Sequence, residues 1–242
     1  MKDLSIVFPC YNESGNLLSL FSKLKNILKK NSGLKIEFII VNNGSIDDTA
    51  DIIKKNLNKK YFKIVTIKKN IGYGNGIIKG IIKATGKVIA WTHADTQTPP
   101  DDVVRLYKKY KIELLNNNCV VKGLRKNRPL FDNLFSFFMS IFSSSIFSQR
   151  LIDINAQPKI FNRKFINHLR NAPKDFSLDL FFLYIANKNN FKIYTLPVYF
   201  NKRLDGFSKG GGSFYGKIKL TFRTLAYIIN LKIHENNFTS NK

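Results

Sequence analysis

The stretch Val88-Ile-Ala-Trp-Thr-His-Ala-Asp-Thr-Gln-Thr-Pro-Pro100 decides how this chain reads. An apolar run, Val88 to Trp91, stops at His93, Asp95 and Gln97, and Pro99-Pro100-Asp101-Asp102 then opens a helix. Alternate residues of an extended segment point the same way, so the three polar side chains can converge at the mouth of a buried strand. A carboxylate, an imidazole and an amide oxygen suit a divalent cation such as Mg or Mn, which can in turn hold a diphosphate. The competing reading is that His93 and Asp95 cap the following helix.

The same strand-then-helix unit recurs on the amino-terminal side, which is the pattern of a mostly parallel sheet flanked by helices. Strands are expected at Leu4–Phe8, Glu37–Val41, Phe62–Ile67 and Val88–Thr92, and a fifth at Cys119–Leu124. Between them, apolar residues at three-and-four spacing predict helices over 16–30, from a Ser45 N-cap to about Leu57, over Gly74–Ala84, and over Val103–Leu115. Asn70-Ile-Gly-Tyr-Gly-Asn-Gly76 has neither the Gly-x-Gly-x-x-Gly spacing of a dinucleotide turn nor the Lys-Ser/Thr of a P-loop. Its glycines are read as close-packing positions, with Gly86 ending the helix.

Beyond Leu124 the alternation loosens. Helices are expected over Leu130–Phe147, Arg163–Leu169, Ser177–Asn187 and Phe214–Ile233, strand-like runs over Ala156–Phe161 and Lys192–Phe200, and Pro197 marks the latter as an edge. The helix over 130–147 carries Phe131, Leu134, Phe135, Phe138 and Phe142 on one face and Ser136, Ser140, Ser143 and Ser144 on the other, which suits a core position or a membrane interface. The last helix is amphipathic and basic, suited to anionic lipid or to packing on the sheet. A single domain over residues 1–234 and a disordered tail over 235–242 are expected.

Forty Lys and Arg against 16 acids give a net charge of +24, which favours anionic partners: nucleic acid, anionic membrane or phosphate-bearing substrates. Two cysteines, Cys10 and Cys119, both in apolar runs, are too few for a disulfide scaffold and point to a reduced, cytoplasmic chain. No uncharged apolar run reaches the roughly 20 residues needed to span a bilayer, so membrane contact is expected to be peripheral, at the inner face of the cell membrane.

Four separated segments resemble, in order and spacing, the family 2 glycosyltransferases. They are Val7-Phe-Pro-Cys-Tyr-Asn-Glu13, Val41-Asn-Asn-Gly-Ser-Ile-Asp47, His93-Ala-Asp-Thr-Gln97 with Pro99-Pro100, and Arg203 to Lys209. The likeness is greatest to the polyprenyl (dolichyl) phosphate sugar synthases and covers roughly residues 4–210. It implies an α/β chain of the GT-A fold, a nucleotide-diphosphate sugar donor, a divalent metal, inversion at the anomeric carbon, and a lipid-linked or glycan acceptor. By position, Pro9, Tyr11, Glu13, Asn42, Asn43, Ala94 and Asp95 match the family's donor-nucleotide residues. Asp95 with His93 and Gln97 matches the metal signature, and Arg125, Arg203 and Lys209 match cations that bind donor or acceptor phosphate. Asp179 stands near the family's general base, with Asp175 as second choice.

The departures are specific. His93 replaces the first Asp of the signature, Asn42 and Asn43 replace an Asp pair, and Ala156-Gln-Pro-Lys159 replaces a Gly-Phe-Arg-like segment. A non-catalytic basic protein binding nucleic acid or anionic membrane explains the +24. It does not explain why Glu13, Asp95 and Asp179, three of only 16 acids, fall at motif positions. Nucleic acid is therefore not an expected partner. A nucleotidyltransferase would show a glycine-rich basic loop after the first strand, where this chain has Pro9-Cys-Tyr-Asn-Glu13.

Overall fold

The computed structural model describes residues 1–56, 58, 60–201 and 214–233. In chain order the elements are β1 (Lys2–Cys10), α1 (Ser14–Lys30), β2 (Ile36–Asn43), α2 (Thr49–Lys55), β3 (Phe62–Ile67), α3 (Tyr73–Lys83), β4 (Gly86–Trp91), α4 (Asp101–Lys109) and α5 (Lys111–Leu115). There follow β5 (Cys119–Lys126), α6 (Leu130–Phe147), β6 (Lys159–Asn162), a 3-10 segment (Arg163–Leu169), α7 (Leu178–Lys188), β7 (Lys192–Tyr199) and α8 (Phe214–Ile233).

Runs such as Ile36 to Asn43, buried at every position, must be covered on both faces, which is what a parallel sheet under helices provides. The seven strands form one sheet in the order β3-β2-β1-β4-β6-β5-β7. All neighbours are parallel except β6, which runs antiparallel to both β4 and β5. On one face Leu4, Ile6, Phe8 and Val88 pack against Leu17, Leu20 and Leu24 of α1 and Val103 and Leu106 of α4. On the other, Val7, Val41, Ile89 and Trp91 meet Ile77 and Ile81 of α3, the α7 run Leu180–Ala186, and Ile228 and Leu231 of α8. Strand order runs outward from β1 to β3, then returns across to β4, so the sheet has a topological switch between the carboxyl ends of β1 and β4. Such a switch leaves a crevice in open α/β sheets.

Several local expectations are corrected. The helix expected over Val103–Leu115 is two helices, broken at Tyr110, whose ring stacks on Tyr194 of β7 at 4.5 Å. Ser45 does not cap α2, which starts at Thr49; its hydroxyl accepts from the Asn12 amide instead, and Leu57 lies outside the described residues. Arg163–Leu169 is a 3-10 segment and not an α-helix, pinned by buried Phe165 and Leu169. Gly86 does not end α3 but begins β4, where a Cβ would lie 2.6 Å from the Ser5 hydroxyl. That hydroxyl donates to Glu37, which also accepts from Thr85 and pairs with Lys63 at 2.8 Å. Burial alone would raise the Glu37 pKa, but these donors outweigh it and hold the carboxyl below its usual value.

Candidate active site

The end of β1 and the end of β2 are tied into one rim. Asn12, at φ +53°, donates its amide to the Ser45 hydroxyl and accepts from the Ile46 amide. The Glu13 amide donates to Thr49, and Asp47 accepts from the Ser14 and Thr49 amides, which hold its carboxyl below the usual range against the effect of burial. The rim is thereby fixed by backbone-directed bonds, leaving Pro9, Tyr11 and Glu13 along a cleft of about 570 Å³ at the topological switch. Asn43 lines it too, while its side-chain amide donates to the Gly72 carbonyl. Cys10 also lines the cleft, but burial, with Glu13 and Asp47 beside it, pushes its thiol far above the range in which a thiolate forms at neutral pH.

At the end of β4, His93, Ala94, Asp95 and Gln97 all reach the same cleft. Asp95 is 8% exposed and accepts from the Gln97 amide, and Thr96 between them takes φ +57°. The Gln97 side chain donates to the Asn201 carbonyl at 3.2 Å. Arg203 and Lys209 themselves lie outside the described residues.

Asp179, in the first turn of α7, forms part of the opposite wall. Its Oδ1 accepts from Gln157 Nε2 at 2.8 Å and from Lys159 Nζ at 3.1 Å. Gln157 Nε2 also lies 3.1 Å from the Tyr73 hydroxyl, and the Tyr73 ring stacks on Phe176 at 4.9 Å. Burial, and next the Asp179 charge, push the Tyr73 phenol well above its usual pKa, so it stays neutral. Tyr73 reaches the wall because α3 enters tightly. A Cβ on Gly72 or Gly74 would lie 2.2 Å from the Lys174 carbonyl or 2.4 Å from that of Pro173.

A third side carries cations. Arg125 donates its backbone amide and its guanidinium to Asp153, and the ion pair holds Asp153 below the usual carboxylate range despite burial. Arg128 donates to the Ser136 hydroxyl at 2.8 Å, and both guanidiniums lie over the Phe200 ring, at 5.8 and 5.7 Å. All four of Arg125, Arg128, Ser136 and Phe200 line the cleft.

The cleft thus collects Pro9, Tyr11, Glu13, Asn43, His93, Ala94, Asp95, Gln97, Arg125 and Asp179 from five separate stretches of chain. Asn42 is the exception. It is 6% exposed and does not line the cleft; its Oδ1 accepts from the Ser45 amide and shapes the rim. Asp175 does not line the cleft either; it accepts from the Ser177 amide and pairs with Arg223 of α8 at 2.9 Å. Among the described residues no three His, Cys, Asp or Glu side chains cluster as metal ligands. One carboxylate with an imidazole and an amide still fits a hard divalent cation whose other ligands are substrate phosphate and water. Arg128 and Tyr73 carry no sequence pattern of their own, and Gln157 and Lys159 stood out in the sequence only as a departure from the family's Gly-Phe-Arg-like segment, with no role attached.

Residues 5–169 match the family model described as glycosyl transferase family 2. An uncharacterized glycosyltransferase of Synechocystis sp. is 31% identical over 180 residues, 71% of this chain and 54% of that protein. A dolichol-phosphate mannosyltransferase of Pyrococcus furiosus is 31% identical over 136 residues, 55% of this chain and 38% of that protein. The chain therefore spans about half or less of the length of these two relatives. A dolichyl-phosphate beta-glucosyltransferase of Dictyostelium discoideum is 26% identical, with 95% of this chain and 77% of that protein covered. Glucosyl-3-phosphoglycerate synthase from Mycobacterium tuberculosis, crystallised with Mn2+, uridine diphosphate and phosphoglyceric acid, superposes with a TM-score of 0.73 at 12% identity, covering 96% of this chain and 78% of that one. At that identity the likeness speaks for the fold alone.

Proposed function

This chain belongs to glycosyl transferase family 2 and has the GT-A fold, and from that premise we propose that it moves a sugar, with inversion, from a nucleoside-diphosphate donor to a polyprenyl phosphate at a membrane surface. The observation that carries the reading is the pairing, across one cleft at the topological switch, of the Asp95 carboxylate with the Arg125–Arg128 guanidiniums. A carboxylate there suits a cation-bound diphosphate, and two guanidiniums over an aromatic ring suit a second phosphate. Relatives named for dolichyl-phosphate and undecaprenyl-phosphate transfer support the same acceptor class.

In this reading the rim of Tyr11, Glu13 and Asn43 holds the nucleoside, and Asp95, His93 and Gln97 are the residues that would hold a divalent metal. That metal supplies charge neutralisation for the leaving nucleoside diphosphate. An acceptor phosphate oxygen, oriented by Arg125 and Arg128, attacks the anomeric carbon as the bond to the diphosphate oxygen breaks on the opposite face. The configuration inverts, and the electron pair leaves with the diphosphate, with Arg203 and Lys209 assigned to that charge by resemblance. The nucleophile is already an anion, so no proton need be removed. The bonds from Lys159 and Gln157 to Asp179 favour this over a hydroxyl acceptor, which would require a base there.

The proposed acceptor also places the cleft beside a lipid surface. Phe135 and Met139 of α6 and Leu220 of α8 line the cleft, and the same helices expose Leu134, Phe137, Phe138, Phe142 and Phe222. Among the described residues no helix is long and apolar enough to cross a membrane, so this face is assigned to lie on the bilayer.

The test is transfer from radiolabelled nucleotide sugars to undecaprenyl or dolichyl phosphate in detergent, with and without Mn2+. We expect a lipid-phosphate sugar product that Asp95→Asn reduces by about 10²–10³-fold, the scale of losing one electrostatic stabiliser, with thermal stability little changed. Undiminished transfer by Asp95→Asn would remove the metal–diphosphate assignment.

A further inference from the structure

Resting on the donor reading above, the wall formed by Tyr73, Phe176 and Asp179 carries a further role. Lys159 is fully buried and uses its three ammonium protons on the Ile154 and Ala156 carbonyls, at 2.8 Å each, and on Asp179 at 3.1 Å. Asp179 is 2% exposed, yet it lines the cleft. Burial pushes the Lys159 pKa down while Asp179 is the main group sustaining its charge. Asp179 thus presents to the cleft a carboxylate whose Oδ1 is held by two donors, Gln157 Nε2 and Lys159 Nζ.

Its location decides what it meets. The Tyr73 ring, whose hydroxyl shares Gln157 with Asp179, lies 5.8 Å from the His93 ring. A donor whose diphosphate sits at His93 and Asp95 brings its sugar against this wall. A fixed anion there accepts hydrogen bonds from sugar hydroxyls and repels a sugar carboxylate, while the stacked Tyr73–Phe176 pair offers apolar contact to ring C–H groups.

We propose that Lys159 is a positioning residue that fixes Asp179 as a standing anion in the donor-sugar subsite, so that the enzyme selects neutral hexoses and rejects uronic acids.

The experiment uses the full chain with Mn2+ and matched donors: UDP-glucose with UDP-glucuronate, and GDP-mannose with GDP-mannuronate, read by calorimetry and by steady-state transfer. The neutral member should bind at least about tenfold better, and Asp179→Asn should reduce that preference by about tenfold, since like charges brought together are strongly disfavoured. With the neutral donor, Asp179→Asn should raise KM while kcat falls less than about tenfold, below the 10²–10⁴ expected on losing a general base. An unchanged preference in Asp179→Asn, or a kcat loss of about a thousandfold at constant KM, overturns the proposal. Lys159→Gln alone strands a buried carboxylate and can fail to fold, so the decisive variant is Lys159→Gln with Asp179→Asn. It should match Asp179→Asn in preference, because Lys159 acts only through Asp179. A further change of preference in the double variant refutes that route. Binding of UDP or GDP with no sugar discrimination overturns this proposal alone, whereas binding of no nucleotide or nucleotide sugar at all overturns the donor reading beneath it.

Discussion

Burial of the Lys122 ammonium, next to Lys159 and Arg125 and countered by Asp153 and Asp179, pushes its pKa from 10.5 down to about 7. Lys122 and Lys159 are register partners on β5 and β6, and both serve the irregular buried segment that crosses above them. Lys122 donates to the Ile152 carbonyl, and Lys159 to those of Ile154 and Ala156, so groups that no strand pairs are satisfied by side chains. The pH consequence has a definite sign. Between about pH 7 and 10.5 the unfolded chain binds a proton at this lysine that the folded chain lacks, so stability rises with pH across that window. Chemical denaturation at pH 7, 8 and 9 should show increasing stability, with a shallower slope in Lys122→Met. The slope is the readout, because loss of the bond to Ile152 costs about 1–3 kcal/mol at every pH. An identical slope in wild type and variant would refute the assignment.

At the scale of elements, α3 lies unusually close to the sheet because Gly80 faces it. A Cβ there would come to 2.4 Å from Val7 Cγ1 and 2.9 Å from Val41 Cγ2. Alanine gains about 1 kcal/mol of helix propensity over glycine, but overpacking against two β-branched residues of central strands costs about 1–3 kcal/mol. Gly80→Ala should therefore lower the denaturation midpoint, and because α3 starts at Tyr73 it should also weaken nucleotide-sugar binding. A variant as stable as wild type would mean that the helix shifts freely. The same packing explains what was legible beforehand. β1, β2 and β4 are apolar on both faces and stand out as runs, the edge strand β3 is a shorter β-branched run, and α1 and α3 show helical spacing, so the order of the first half was readable to within two or three residues. The Tyr110 break and the seating of Gly86 on Ser5 depend on neighbours distant in sequence, which no local pattern records. The rim and the β4 end were readable because Pro9, Glu13, Asp95 and Gln97 sit where apolar runs stop. The Asp179 anchorage was not, because Gln157 and Lys159 interrupt a strand-like run and owe their places to an antiparallel strand inserted between β4 and β5.

For the molecule as a whole, charge and apolar surface make a joint demand. A net charge of +24 alone gives salt-sensitive attraction to any polyanion. The proposed bilayer face adds an apolar term that salt does not screen, since Phe137 and Phe138 of α6 are 58% and 60% exposed and Phe222 of α8 is 68% exposed. These two contributions separate experimentally. Sedimentation with anionic phosphatidylglycerol vesicles should show binding that weakens from 0.05 to about 0.5 M salt without vanishing, because the Debye length shrinks to a few ångströms while buried phenyl groups keep their transfer energy. Phe137→Ser with Phe138→Ser removes side chains that are already in water, so the fold should hold. It should abolish the salt-resistant fraction and leave the salt-sensitive one. Transfer to a full-length polyprenyl phosphate in vesicles should fall with it, while transfer to a short-chain, water-soluble prenyl phosphate should not, because that acceptor reaches Arg125 and Arg128 without the membrane. Equal loss with both acceptors would place the effect in the cleft and refute a membrane role for this face.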